Sequence, residues 1–283
     1  MAIINQFKTI TLLLVLSALL IFVGSLFGGM QGMTIMLIFA IVMNLASYFY
    51  GDKLVLKMHK AKQLTNKKDK LYKLISDVAK KAKIPTPKVY IIPDHNANAF
   101  ACGRNPKNSS VAVTVGILNL LNEKELKGVI AHELAHIKNR DILIATIAAT
   151  IATVISYVAM MARFAAIFGG MRGGDRDGGN LIELLVLAIL TPIIATMIQL
   201  AISRSREYLA DETGATTIHD PTSLANALEK LSNHNKHIPM RVGSRTTASL
   251  FISNPFEGMS LIGLFSTHPP MKLRIQKLKE LNV

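Results

Sequence analysis

"VIAHELAHIKNRDILIATIAATIATVISYVAMM", residues 129–161, opens as a metal-binding motif and closes as a segment apolar enough to cross a bilayer. Its first part holds His132, Glu133 and His136 in the pattern H-E-x-x-H. On a helix, positions four apart share a face, so both imidazoles can reach one Zn²⁺ at about 2.0–2.1 Å. Glu133 stands beside the first histidine, where a carboxylate can take a proton from a metal-activated water. The helix is predicted by its own signals. Asn122 and Glu125 read as a capping pair, and Leu126, Val129, Ile130, Leu134 and Ile137 supply an apolar stripe behind them.

From residue 142 to 161 the stretch carries no charge, and three more apolar runs cover residues 9–28, 33–50 and 181–202. Each is near the ~18–20 residues that span a hydrocarbon core. The first two are uncharged and separated only by Gly29-Met30-Gln31-Gly32, which permits nothing but a tight antiparallel hairpin. The run 142–161 is rich in Ala and Thr, and 181–202 carries Glu183, Pro192 and Gln199. These two read as a second membrane hairpin or as a buried helical hairpin of a soluble domain. The glycine-rich loop between them, residues 169–180, lacks the strand before it and the Gly-Lys-Ser/Thr after it that a phosphate cradle needs.

Composition agrees with a membrane protein. Of 283 residues, 50% are hydrophobic and 18% charged, too apolar for an ordinary soluble chain. The net charge is +14, yet there is no Trp and no basic-aromatic platform, which argues against nucleic acid as a partner. Twelve lysines but only Asp52, Asp69 and Asp77 fall between residues 52 and 88. By the positive-inside rule that segment is cytoplasmic, and its lysines form a solvated face turned to anionic lipid. The N-terminal run has no small-residue cleavage site and reads as a retained anchor. A single cysteine, Cys102, forms no intrachain disulfide, fits a cytoplasmic location and lacks a histidine partner that would make it a nucleophile.

Two hairpins return the chain to one side, so residues 51–141 and 203–283 build one catalytic domain, with membrane hairpins at 1–50 and 142–202. A catalytic zinc needs a third protein ligand and an open fourth position. "SRSREYLADETG", residues 203–214, supplies the best candidate in Glu207, and Asp211 lies one turn on. Glu207 can ligate, while Asp211 can accept a hydrogen bond from the distal nitrogen of a ligand histidine. His136 precedes the third run by about 9 Å of helix, and Glu207 follows the fourth by about 7.5 Å. If those runs are antiparallel neighbours, both ligands stand at one height above the bilayer core, and the membrane helices are the scaffold of the site.

"HELAHIKNRD", "SREYLADETGA" and "FSTHPPMKLRI" together resemble the HtpX-type membrane zinc endopeptidases, gluzincins related to the CAAX prenyl proteases. The likeness runs over essentially the whole chain. It implies a mainly α, polytopic membrane protein: four apolar helices in two hairpins and a cytoplasmic, gluzincin-like α+β zinc protease domain with a small sheet. It implies one Zn²⁺ per subunit held by His132, His136 and Glu207, with Glu133 as the acid/base. It also implies a multi-pass protein of the cytoplasmic (inner) membrane, its active site facing the cytoplasm, that cleaves misfolded or damaged membrane proteins in quality control and stress response.

Residues 87–94 and 109–116 alternate like strands. In this clan an extended substrate pairs with an edge strand beside the metal, and Asn98, Ala99, Phe100 and Ala101 resemble that edge; the plainer reading is a hairpin connection. The resemblance likewise gives His268 a place near the zinc, as oxyanion donor or as fourth ligand in a closed state. The plainer reading is a loop ahead of a C-terminal helix begun by Pro269 and Pro270. Tyr208 is a second oxyanion candidate. His59, His95, His219, His234 and His237 have no ligand spacing, and Asp141 is expected to pair with Arg140 or Arg206. The rival readings are a prenyl-protein endoprotease, a non-catalytic membrane scaffold and an anionic-lipid anchor.

Overall fold

The computed structural model describes residues 2–153, 204–235, 238, 240, 247, 250–253 and 269–282. The first helix, α1 (Ala2–Met58), is two arms joined at a kink where Gly28 and Gly29 leave helical geometry, Gly29 at φ 54°. Only glycine adopts that left-handed turn without strain. The arms fold back on each other. A Cβ on Gly24 would lie 2.5 Å from Gly32 O, and Asn44 Nδ2 donates to Ser17 Oγ at 2.9 Å. The second arm, Gly28–Met58, has 31 residues and a mean hydropathy of 1.9; it is the one helix among the described residues long and apolar enough to cross a membrane. Ile35, Ile38, Ile41, Val42, Leu45 and Phe49 stand exposed on it. A helix apolar all round, with so little of it covered by protein, needs lipid or a partner around it.

The third apolar run begins as helix α5, described from Ile142 to Thr153. Its Ile144, Ile147, Ala148 and Ile151 pack with Leu16, Leu20, Ala40 and Met43 of both arms of α1. The rest of that run, the glycine-rich loop and the fourth run fall at residues 154–203, outside the described residues. Of the four helices in two hairpins expected from the sequence, the structure therefore carries the first hairpin and the opening turns of a third helix. The second arm also continues as helix to Met58, eight residues past the boundary expected at residue 50.

The remaining described residues are mainly helical with one small mixed sheet. Strands β1 (Lys62–Gln63), β2 (Lys88–Ile92), β3 (Ala99–Asn105) and β4 (Asn108–Thr114) lie in the order β1-β2-β4-β3. β1 and β2 are antiparallel, β2 and β4 parallel, and β3 and β4 antiparallel, which leaves β3 at the edge. Helix α2 (Lys70–Ala82) carries Leu71, Ile75, Val78, Ala79 and Ala82 inward, while Lys73, Lys80 and Lys81 stay in solvent. Four of the twelve lysines, Lys70, Lys73, Lys80 and Lys81, thus belong to one amphipathic helix, and the other eight flank it.

Short α3 (Val115–Leu120) leads into α4 (Glu123–Lys138), the central helix. The capping pair is present as a full box: Glu125 N donates to Asn122 Oδ1 at 2.9 Å, and Asn122 N to Glu125 Oε2 at 3.0 Å. Val129, Ile130, Leu134 and Ile137 are fully buried in a core shared with α2, the sheet and two later helices, α6 (Arg204–Ile218) and α7 (Pro221–Asn235). Gly128 admits the backbone of Leu224 in α7, and Gly214 brings α6 onto the backbone of Ala131 and His132. The last helix, α8 (Met271–Glu280), closes the other side, burying Arg274 and Leu278.

Candidate metal centre

The close crossing of α4 and α6 decides what meets at the centre. His132 and His136 project from one face of α4, their Nε2 atoms 3.1 Å apart. From α6, Glu207 places Oε2 3.8 Å from His132 Nε2 and Oε1 3.7 Å from His136 Nε2. One donor atom from each of the three lies within 4.8 Å of the others. Donors 2.0–2.1 Å from one tetrahedral ion stand about 3.3 Å apart, and these three spacings bracket that value. Two imidazoles and a carboxylate are a donor set suited to zinc.

The far nitrogens of both rings are occupied. Asp211 Oδ1 lies 2.9 Å from His132 Nδ1. Asp141 Oδ2 lies 3.0 Å from His136 Nδ1. A proton on each Nδ1 satisfies these carboxylates and leaves both Nε2 lone pairs turned toward Glu207. The structure turns one oxygen of the Asp141 carboxylate to His136, because the chain from His136 to Asp141 is short enough to curl back, with Asp141 N donating to His136 O at 3.2 Å. Arg206 is near enough to feel the charges of Asp141 and Glu207.

Glu133 is 2% exposed, and the Ala101 backbone N–H faces its carboxylate and favours the charged form. Burial raises its pKa to about 7, and the charge of Glu207 adds to the rise while His136 opposes it. Burial lowers the pKa of His132 against the pull of Asp211. For His136 burial works against the charged ring, yet the Asp141 carboxylate and Glu207 hold its pKa up at about 10, so a metal binding at Nε2 has to displace a proton there. Burial would raise the pKa of Asp211, but its pair with Arg274 outweighs that and lowers it.

Asn98 and Ala99 lie along the outer side of the β3 edge, next to a short piece of the chain itself. Asn98 Nδ2 donates to Ser253 O at 2.7 Å, and Ile252 N donates to Ala99 O at 3.2 Å. Phe100 packs into a fully buried ring stack with His59 and Phe251, centroids 5.7 and 5.0 Å away. Tyr208 packs under Lys277, whose Nζ is 3.8 Å from the ring centroid. His268 lies outside the described residues, as does His237. His59 is buried and bonds Thr247 at 2.9 Å, and His234 bonds the His95 carbonyl at 3.3 Å.

One residue at the centre went unnoticed in the sequence. Arg274 is fully buried and reaches Asp211, Glu207 and His132 at once. The signal was present in "MKLRIQKLKEL": Arg274 falls on the inward stripe with Met271, Ile275 and Leu278, where a charged residue has no place unless it is paired.

The profile of peptidase family M48 matches residues 65–282, which takes in both the histidine helix and the Glu207 helix. The chain belongs to peptidase family M48. As an M48 peptidase with a His-His-Glu cluster, it is a metalloprotease, and its substrates are proteins. A protease HtpX homologue of Desulforapulum autotrophicum is 52% identical over 277 residues, covering 97% of this chain and 89% of the relative. The homologue from Syntrophobacter fumaroxidans is 50% identical, covering 98% and 99% of the two chains, and that from Thermococcus kodakarensis is 48% identical, covering 99% and 97%. Among solved structures, the crystal structure of S. mikatae Ste24p superposes with a TM-score of 0.53 at 20% identity. The likeness covers 98% of this chain and 66% of that one, and it shows a shared fold.

Proposed function

We propose that this M48 peptidase is a multi-pass zinc endopeptidase of the cytoplasmic membrane, with four helices in two hairpins and its active site on the cytoplasmic side. Its substrates would be misfolded or damaged membrane proteins, cleaved in quality control and stress response. His132, His136 and Glu207 would hold one Zn²⁺ per chain. When bound, zinc supplies a Lewis acid for the scissile carbonyl and makes water acidic enough to attack near neutral pH. Glu133 accepts the proton of the attacking water and delivers it to the leaving amide nitrogen as the peptide bond breaks. A carboxyl with a pKa near 7 can do both. Asp211 and Asp141 keep the two imidazoles turned so that their Nε2 atoms face inward.

The outer edge of β3, whose Ala101 N–H faces Glu133, is the natural rail for an extended substrate backbone. Pairing at Ala99 would take the carbonyl now accepting from Ile252, so residues 250–253 must yield it. The twelve lysines between residues 52 and 88 and the exposed apolar arms support the membrane and its cytoplasmic face as the site of action. The observation that carries the reading is the convergence of three donor atoms within 4.8 Å, contributed by two helices and adjoining the buried Glu133.

The test is cleavage of an unfolded reporter protein by detergent-purified enzyme after chelation and zinc add-back. Cleavage should return with zinc in the wild type. Glu133→Gln should bind the same amount of zinc and turn over about 10²–10⁴-fold more slowly, the usual contribution of a general acid/base. Undiminished proteolysis by that variant would remove Glu133 from the chemistry.

A further inference from the structure

Arg274 has no role in the reaction above, yet it is among the most enclosed side chains in the molecule. A buried guanidinium persists only where its donors and its charge are fully used. Here all three nitrogens are engaged. Nε donates to Asp211 Oδ2 at 2.8 Å and Nη2 to Asp211 Oδ1 at 2.7 Å, a two-pronged pair. Nη1 donates to the Ile252 carbonyl at 3.2 Å and stands 3.4 Å from Glu207 Oε2. Nη2 also comes within 3.4 Å of the His132 ring nitrogens.

The oxygen that Nη2 grips, Asp211 Oδ1, is the one 2.9 Å from His132 Nδ1. A carboxylate on a single histidine contact could rotate about its last torsion. Clamped by the fork on both oxygens, it has one orientation, and the His132 ring is fixed with it. The same guanidinium offsets the charges of Asp211 and Glu207, which approach the imidazoles from one helix.

We propose that Arg274 is a positioning residue of the metal centre: its fork locks Asp211, and through it His132, in the orientation that binds the metal. A lysine at this place would keep the charge but not the planar fork. The inference rests on the reading that His132, His136 and Glu207 hold the metal.

The test uses the full-length protein in detergent and measures zinc affinity by competition with a chromophoric chelator, at temperatures well below each variant's own Tm. Arg274→Lys, Asp211→Asn, the double variant and Leu278→Ala are compared. Leu278 is buried on the same face of α8 but does not touch the cluster, so Leu278→Ala reports the effect of merely loosening that helix. The expected result is a zinc Kd weakened about 10–100-fold by Arg274→Lys, the range for lost outer partners of metal ligands. The double variant should be no weaker than Asp211→Asn alone, because the arginine acts through that carboxylate. Peptide cleavage at saturating zinc should fall in kcat more than it changes in KM. Leu278→Ala should lower Tm and leave the zinc Kd where it was.

A wild-type zinc Kd in Arg274→Lys with a lowered Tm would overturn the proposal and leave Arg274 a structural staple. Full additivity of the two substitutions would also overturn it. If Arg274→Lys does not fold, the comparison moves to Arg274→Gln, read in the same way. Failure of the wild type to bind zinc would overturn the metal reading itself, an outcome distinct from both.

Discussion

Gly214→Ala isolates the helix crossing on which the centre depends. Gly214 follows Asp211 by three residues and Glu207 by seven, so all three lie on one stripe of α6 facing α4. A Cβ at Gly214 would lie 2.9 Å from both Ala131 C and His132 N, and 3.0 Å from Ala131 O. Carbon contacts settle at about 3.5–4.0 Å, and these neighbours are helical backbone that cannot swing aside. The two helices must part by roughly 0.5–1 Å, a shift felt one turn away at Asp211 and two turns away at Glu207. Metal–donor distances tolerate only about 0.2 Å.

Stability and metal binding should therefore respond differently. Alanine gains about 1 kcal/mol of helix propensity over glycine, against an overpacking cost of about 1–3 kcal/mol. The net loss of stability is about 0–2 kcal/mol by that comparison. Zinc affinity should fall about 10–100-fold, as when a ligand's outer support is lost. The assay is chelator competition for Kd beside thermal unfolding on the same sample. An alanine variant with wild-type zinc Kd and wild-type cleavage would refute the idea that this crossing sets the ligand spacing.

Three other outcomes follow from the same contacts. Asp141→Asn removes the charge held 3.0 Å from His136 Nδ1 and should weaken zinc binding about tenfold or more by equilibrium competition. Glu125→Ala breaks one arm of the α4 capping box and the contact with Lys230 at 2.8 Å; because Lys230 is largely in solvent, the loss should be about 1–2 kcal/mol in denaturant unfolding, with an unchanged zinc Kd. Cys102 is buried, and burial with the charges of Asp52 and Glu133 holds its thiol well above the usual range; it should resist a thiol reagent in the native protein and react fully after unfolding, so rapid native labelling would contradict its placement.

The parts of this molecule legible in the sequence are those set by short-range rules. H-E-x-x-H fixes two imidazoles one turn apart wherever that helix lies, and Asn122 with Glu125 announces where it starts. Glu207 and Asp211 share a face by spacing alone. The strands at 88–92 and 108–114 followed from alternation, but β3 did not, because "NANAFACGRN" is rich in small and turn-forming residues. What makes it a strand is its pairing with β4, while its outer edge is covered by Ile252 at Ala99 and by α5 at Gly103, whose N–H donates to Thr146 Oγ1 at 3.0 Å.

Asp141 and Arg274 show the same limit. Asp141 stands at the start of the third apolar run and Arg274 falls on an inward helix stripe, and in the structure each meets a partner that the sequence does not name, His136 and Asp211. Arg274 meets Asp211 across 63 residues, and only folding supplies that separation. The centre is thus built from both kinds of information. Local periodicity aims the donors along their helices, while long-range packing at Gly214, Asp211 and Arg274 holds those helices at the one distance where two imidazoles and a carboxylate can share an ion. That division explains why a methyl group at Gly214, ~10 Å along the helix from Glu207, should act on the metal as strongly as the loss of a residue that touches a ligand.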